Sequence, residues 1–140
     1  MKENINIIYI NLKELTFLSV AEINRIISKS KYDRHIIVDI SELKRIDSSA
    51  IGLIISVYTK LKKHNKELIL CEARKSVSKT LAIFESTEKI AKIVNTVDDA
   101  ILYLEKKYNK VFNIKKILLD IGGFFFIDKT KHLDTYEMAL

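Results

Sequence analysis

The 140-residue sequence has no proline, only three glycines and a single cysteine. The absence of proline excludes collagen, mucin-like stalks and proline-rich linkers. One cysteine cannot form a disulfide framework or a multi-cysteine metal site, so Cys71, which ends an apolar run, is predicted to be a core residue in a reducing compartment. No glycine-, proline- or serine-rich hinge divides the chain, whose length is typical of one domain.

Long apolar stretches and targeting segments are also lacking. No run reaches the roughly 18 apolar residues of a membrane span. The longest candidate, residues 117–127, is shorter than that and contains Asp120. The N-terminus lacks the apolar region and the small-residue cleavage site of a signal peptide. The sequence therefore predicts a cytoplasmic protein without an integral membrane segment.

The chain carries an excess of positive charge, +6, which raises the question of nucleic-acid binding. Half of this excess lies in residues 106–140, which hold 7 basic and 4 acidic residues. Lysines outnumber arginines 20 to 4, whereas arginine is the residue that most often reads bases and clamps phosphates. The distribution predicts a solvated, lysine-rich surface and no nucleic-acid partner.

Strand-like and helix-like apolar spacing alternate along the first 108 residues. Strands are predicted over residues 5–12, 35–40, 67–71 and, more weakly, 92–96. Helices are predicted over residues 20–30, 49–64, 77–84 and 98–108, with Ser19 and Ser76 as caps of the first and third and Asn65 as the end of the second. Four strand–helix repeats indicate an α/β fold with a parallel or mixed sheet and helices packed on it.

Residues 109–140 break this rhythm and are interpreted as a C-terminal extension of a domain formed by residues 1–108. The extension has apolar residues at helical spacing, followed by three phenylalanines: Ile114, Ile117, Leu118 and Ile121, then Phe124, Phe125 and Phe126. This pattern predicts an added helix packed on the domain, or a partly ordered tail. The alternative is a docking segment for a partner or a membrane surface, supported by nearby lysines: Lys110, Lys115 and Lys116.

Motifs of known catalytic or cofactor sites are absent from the sequence. It contains no phosphate-binding glycine loop of the G-x-x-x-x-G-K-[ST] or G-x-G-x-x-G type, and no G-x-S-x-G turn. The three histidines, His35, His64 and His132, are isolated from one another and from carboxylates at metal-ligand spacing. We therefore predict no metal, no cofactor and no catalysis; a small α/β enzyme is the alternative, but no nucleophile–base pair supports it.

The most informative segment is residues 46–53, with the sequence IDSSAIGL, between a buried strand and an amphipathic helix. Asp47, Ser48 or Ser49 is expected to cap this helix by accepting its unpaired N–H groups. A serine at a helix N-terminus is also a suitable place for a phosphoryl group, because the helix dipole and the free N–H groups favour an anion. A phosphate there adds about two negative charges and would block a docking surface by repulsion and desolvation.

This segment and its neighbours resemble a STAS domain, the fold of bacterial anti-sigma factor antagonists. VDIS at residues 38–41 and IDSSAIGL at 46–53 resemble the family's V-D-hydrophobic-S and D-S-S/T-G-hydrophobic-G motifs. LILC at 68–71 resembles the next strand, SVSKTL at 76–81 the start of the next helix, and KELT at 13–16 the family's G-E-L-D. The resemblance extends over roughly residues 5–105.

The resemblance implies a regulated binding module that acts by partner switching. The residue after the aspartate of D-S-S is the family's phosphoacceptor, which corresponds to Ser48, with Ser49 as a weaker candidate. The unphosphorylated protein would bind an anti-sigma factor, often itself a serine kinase; phosphorylation would release this partner and a phosphatase would restore binding. The residues implied in partner binding are Thr16, Asp47, Ser48, Ser49, Ala50 and Ile51.

The sequence departs from the family pattern at three places. Ala50 replaces the glycine of D-S-S-G, and Lys13 and Thr16 replace the glycine and the aspartate of G-E-L-D. Few residues precede Ile5, so the family's usual first strand is expected to be missing or very short. These departures keep an alternative open, in which the chain is a non-phosphorylated STAS scaffold subunit of another assembly, such as a lipid transporter.

Overall fold

A computed structural model of the chain describes residues 3–28, 32–119 and 137–138. Four helices lie in these residues: α1 (Phe17–Ser28), α2 (Ser48–Lys63), α3 (Lys75–Glu85) and α4 (Val97–Tyr108). Eight strands lie in the same residues: β1 (Asn4–Ile10), β2 (Glu14–Leu15), β3 (His35–Asp39), β4 (Arg45–Ile46), β5 (Leu68–Cys71), β6 (Lys92–Ile93), β7 (Asn113–Leu119) and β8 (Glu137–Met138).

Six strands form one sheet in the order β6-β5-β3-β1-β7-β8. All neighbouring pairs in this sheet are parallel. The two remaining short strands, β2 and β4, form a separate parallel ladder. The α/β prediction is confirmed, and the sheet, expected to be parallel or mixed, is parallel throughout the described strands.

The helices cover the two faces of the sheet unequally. Apolar side chains of α1, α2 and α3 form one buried cluster with one set of strand residues, among them Ile36 of β3 and Leu70 of β5. Side chains of α4 form a second cluster with residues of the opposite face, among them Ile37 and Ile69. Successive residues of β3 and β5 point to opposite faces, so these strands are buried on both sides, as their continuous apolar runs predict.

Helix boundaries agree with the predictions to within a few residues, but two predicted caps are wrong. α1 begins at Phe17, so Ser19 lies inside its first turn; its hydroxyl accepts from the Thr16 N–H at 3.0 Å. α3 begins at Lys75, and the Ser76 hydroxyl donates to the Lys44 carbonyl at 3.0 Å instead of capping the helix. Asn65 does follow the end of α2, in the left-handed conformation at φ 57°, which asparagine tolerates better than most residues.

The helix predicted at the start of the extension is wrong. Residues 113–119 form strand β7, which pairs with the whole of β1 from Asn4↔Asn113 to Ile10↔Leu119. β1 is itself buried, and a strand on its second edge satisfies backbone groups that would otherwise be unpaired. β8 then pairs with β7 at Ile117↔Glu137 and Leu118↔Met138. The three phenylalanines at 124–126 lie outside the described residues.

A buried polar cluster lies where strands β1, β3, β5 and β7 begin. His35 is fully buried, and its Nδ1 accepts the Glu67 backbone N–H at 3.0 Å. Its ring packs against Tyr108 and Phe112, with ring centroids 4.7 and 5.4 Å apart. Its Nε2 has no hydrogen-bond partner in the described part of the chain and lies 3.8 Å from a carboxylate oxygen of Glu3. Burial lowers the pKa of His35 to about 4, so the ring is neutral near pH 7.

The Glu67 carboxylate is the centre of the same cluster. It accepts hydrogen bonds from the hydroxyls of Tyr103 at 3.1 Å and Tyr108 at 2.8 Å, and pairs with the Lys107 ammonium at 3.1 Å. Burial alone raises the pKa of Glu67, but these three groups outweigh it, and the net pKa is lowered. The charged, hydrogen-bonded carboxylate therefore ties the start of β5 to the end of α4.

Two further predictions concern single features. Cys71 is fully buried, which confirms its expected core position, and burial raises the pKa of its thiol. None of the helices within the described ranges combines the length and the apolar character that crossing a membrane requires.

Candidate functional site

The ladder of β2 and β4 brings the first turns of α1 and α2 side by side. Leu15 pairs with Ile46, and both side chains are buried in the core. The Asp47 N–H donates to the Leu15 carbonyl at 3.1 Å, which extends the contact by one residue. The two helices begin directly after this contact, at Phe17 and Ser48. Segments that are distant in sequence are thereby brought together at one surface.

Asp47 joins the two helix N-termini through both of its carboxylate oxygens. Oδ1 accepts from the Ala50 N–H at 3.1 Å, the usual bond of an N-cap residue in extended conformation. Oδ2 accepts from the N–H of Phe17, the first residue of α1, at 3.0 Å. The capping role left open between Asp47, Ser48 and Ser49 thus belongs to Asp47, and the second bond fixes the start of α1 relative to α2.

Replacing Asp47 by alanine is expected to lower the free energy of unfolding by about 1–3 kcal/mol, because both bonds are lost. Asp47→Asn keeps only one side-chain oxygen as an acceptor, so its effect should be smaller. Urea denaturation measures both effects, with Asp98→Ala, an exposed aspartate in the first turn of α4, as the control. Equal losses for Asp47→Ala and Asp98→Ala would contradict the double capping role.

Ser48 and Ser49 are exposed in the first turn of α2, whereas the next two residues are not. Ala50 and Ile51 are buried in the cluster beneath α1, α2 and α3. The expectation that these two side chains contact a partner disagrees with their burial, since neither reaches the surface. Thr16, Asp47, Ser48 and Ser49 do lie together at the surface, with Thr16 and Asp47 partly buried.

The first turns of both helices have no acidic residue. The Asp47 carboxylate, which accepts one N–H from each helix, is therefore the acidic group that the described contacts place at the positive ends of both helix dipoles. Ser48 is exposed at the start of α2, where the helix dipole favours negative charge.

The sequence did not identify the most exposed apolar residues of this surface. Phe17 is 73% exposed and Leu18 is 87% exposed, both in the first turn of α1. Phe17 precedes Val20 by three residues, a spacing that predicts burial on the same helix face. In the structure this side chain, at the first residue of α1, is exposed.

Groups that could support metal or acid–base chemistry are scarce here. Within the described residues, no three histidine, cysteine or acidic side chains are grouped so as to hold a metal ion. Asp39, the acidic residue at the end of β3, is buried, and its carboxylate accepts the Ser41 N–H at 2.9 Å.

Comparisons with known proteins agree with this architecture. The family model described as STAS domain matches residues 1–100. A protein from Thermotoga maritima, assigned as an anti-sigma factor antagonist, is 17% identical with a TM-score of 0.60, over 69% of this chain and 86% of that one. A sulfate transporter family protein from Wolinella succinogenes is 14% identical with a TM-score of 0.63, over 75% and 88%.

The same fold also occurs inside a much larger protein. The murine anion transporter Solute Carrier 26 family member A9 is 18% identical with a TM-score of 0.55 over 66% of this chain, which corresponds to 16% of the transporter. At these identities the likeness to each solved structure shows the fold alone.

Proposed function

Since this chain belongs to the STAS domain family, we propose that it is a cytoplasmic bacterial anti-sigma factor antagonist that acts by partner switching. With Ser48 unphosphorylated it binds an anti-sigma factor that is also a serine kinase. Phosphorylation of Ser48 releases that partner, and a phosphatase restores binding. The chain itself performs no catalysis and uses no cofactor or metal. The observation that supports this proposal best is the exposed Ser48 at the N-terminus of α2, directly after its capping aspartate.

The geometry favours a switch at the surface over a switch by refolding. Ser48 is exposed, and Asp47 rather than Ser48 caps α2. A phosphate on Ser48 therefore does not remove the cap, and the helix dipole tolerates it. The modified chain keeps its fold while the charge of the docking surface changes, so binding is lost through repulsion and desolvation. Ser49 is also exposed and is the second candidate acceptor.

A kinase assay tests the proposal. The purified chain is incubated with ATP and the serine kinase of the anti-sigma type encoded in its own genome, and the product is analysed by intact-mass and peptide mass spectrometry. We expect one phosphate on Ser48, none on the Ser48→Ala variant, and normal modification of Ser49→Ala. Modification only at other residues, or equal modification of Ser48→Ala, would rule out the switch at this serine.

A second function is supported by the structural similarity to transporter proteins. In this alternative the chain is a STAS scaffold subunit that docks on a transporter, such as one for lipids, and is never phosphorylated. Co-purification with an ATPase or permease, together with unchanged binding by Ser48→Asp, would favour it. Loss of binding by Ser48→Asp, with Ser49→Asp as a matched variant, would favour the antagonist.

A further inference from the structure

Phe17 and Leu18 form an exposed apolar pair next to the proposed regulatory serine. Their exposed fractions, 73% and 87%, are the largest among the exposed large apolar residues in the described part of the chain. The bond from the Phe17 N–H to Asp47 fixes the pair beside the first turn of α2. Single exposed apolar residues need no explanation, but an adjacent aromatic–aliphatic pair held at a rigid position is typical of an interface anchor.

Gly52, in α2, is a second feature that supports an interface beside Ser48. It lies inside α2, four residues after Ser48 and therefore on the same helix face. A Cβ at this position would meet no atom within 4 Å, so packing within the described residues does not require glycine. Glycine inside a helix weakens that helix relative to alanine. An exposed glycine beside Ser48 leaves bare backbone that another protein can approach closely.

The charge of this surface indicates the chemistry of the occupant. Residues 13–18 and 44–49 include the β2–β4 ladder and the first two residues of α1 and α2. They contain three cations and two carboxylates, a net charge of +1. Glu14 is paired with Arg45 at 3.0 Å, and both oxygens of Asp47 accept backbone N–H groups. Lys13 and Lys44 are exposed and, within the described ranges, no ion pair includes them. The uncompensated charge at the surface is therefore positive.

We propose that Phe17 and Leu18 anchor the partner protein, which presents an apolar pocket with carboxylates at its rim. The inference rests on the function proposed above and specifies the partner's side of that interface. Lys13 precedes Phe17 by four residues, at most about 13 Å along the chain. An interface of about 800 Å² on each protein covers such a distance. A phosphate on Ser48, with about two negative charges, changes the local +1 to about −1 and repels an acidic rim.

Photo-crosslinking followed by affinity measurement tests this proposal. A benzoylphenylalanine is placed at position 18 or, as the control, at position 83 in cells that naturally produce the protein. Ile83 is a suitable control because it is also a large exposed apolar residue, 69% exposed, but lies in α3. The protein captured from position 18 is identified by mass spectrometry, purified, and tested for binding to the wild-type chain and to its variants.

We expect Phe17→Ala and Leu18→Ala to weaken binding by roughly tenfold or more and Ile83→Ala by less than about twofold. Raising the salt concentration from about 0.05 to about 0.5 M should weaken binding further, because the rim charges are screened. The crosslinked peptide of the partner should carry acidic residues. Equal crosslinking from positions 18 and 83, a crosslink only to a second copy of the chain, or binding unaffected by both alanine variants would overturn the proposal.

Gly52→Ala provides a test that does not depend on loss of folding. Alanine should raise the urea midpoint of the free chain, because it is the better helix former, yet weaken partner binding by roughly tenfold through the added methyl group. A variant that is more stable and binds normally would remove Gly52 from the interface and contradict this part of the inference.

The outcomes separate this inference from the function on which it rests. If phosphorylation of Ser48 releases the partner but Leu18→Ala binds normally, the switch stands and the apolar anchor fails. If Leu18→Ala loses binding but Ser48 is never modified, the anchor stands and the phosphorylation switch fails.

Discussion

Replacing Leu118 by alanine is expected to lower the free energy of unfolding by about 2–5 kcal/mol, the usual cost of a buried leucine. Leu118 is 1% exposed near the end of β7, where it pairs with Tyr9 on one side and with Met138 of β8 on the other. Removing its side chain leaves a cavity beside β1 that neighbouring strands cannot fill without losing hydrogen bonds. Urea denaturation with a constant m-value would measure the loss.

Ile114→Ala is the matched control for this prediction. Ile114 lies in the same strand, four residues earlier, but is 44% exposed, so its replacement should cost less than about 1 kcal/mol. Ile114 and Leu118 lie on the same face of β7, because they are four residues apart, so a difference between the two variants reports how well each side chain is covered along the strand. Equal losses would contradict the exposed position of Ile114 at the start of β7.

β7 shows which part of the fold local sequence cannot predict. The central strands β3 and β5 were predicted because each is a continuous apolar run between helical segments, a pattern contained in a few residues. In β7 the apolar residues at 114, 117 and 118, considered without the rest of the fold, have the spacing of a helix face. The strand forms because β1, at the other end of the sequence, provides an open edge for seven residue pairs. Such a tertiary contact overrides the local period.

In the candidate site, too, some features follow from local sequence and others depend on tertiary contacts. A helix cap at residues 47–49 was predictable because aspartate and serine before an amphipathic helix have a local capping role. The second bond of Asp47, to the Phe17 N–H, joins residues 30 positions apart and depends on the short β2–β4 ladder, which the sequence did not reveal. The sequence analysis also placed the start of the first helix at residue 20, so Phe17 and Leu18 were not recognised as part of α1. The resemblance to the family located the serine, and the three-dimensional arrangement added the apolar pair beside it.

The free energy of unfolding is expected to fall by on the order of 2–3 kcal/mol, through His35 alone, as the pH is lowered from about 6.5 to about 4. The folded-state pKa of His35, about 4, lies below the ordinary 6.5 because the ring is buried. In this pH range the unfolded chain binds a proton that the folded chain does not. The stabilising contribution is therefore complete above pH 6.5 and is lost as the pH falls towards 4.

The groups around His35 oppose protonation by geometry as well as by burial. Nδ1 accepts the Glu67 N–H, so a second proton on the ring would have to displace that hydrogen bond. The nearby Lys66 and Lys107 lower the pKa further, while Glu67 and Glu3 raise it but do not compensate for the loss of water. The neutral ring therefore carries its single proton on Nε2, which faces the Glu3 carboxylate at 3.8 Å.

Urea denaturation of the wild type and of His35→Gln across pH 4–7 isolates this contribution, since glutamine does not titrate. We expect a shallower pH dependence in the variant, with His64→Gln measuring what an exposed histidine contributes. Nitrogen NMR of the wild type gives an independent measurement if His35→Gln does not fold: the His35 ring should stay neutral at pH 5.5, with its proton on Nε2. A ring that is charged at that pH, or identical pH slopes for the wild type and a folded His35→Gln, would show that the buried histidine does not couple protonation to folding.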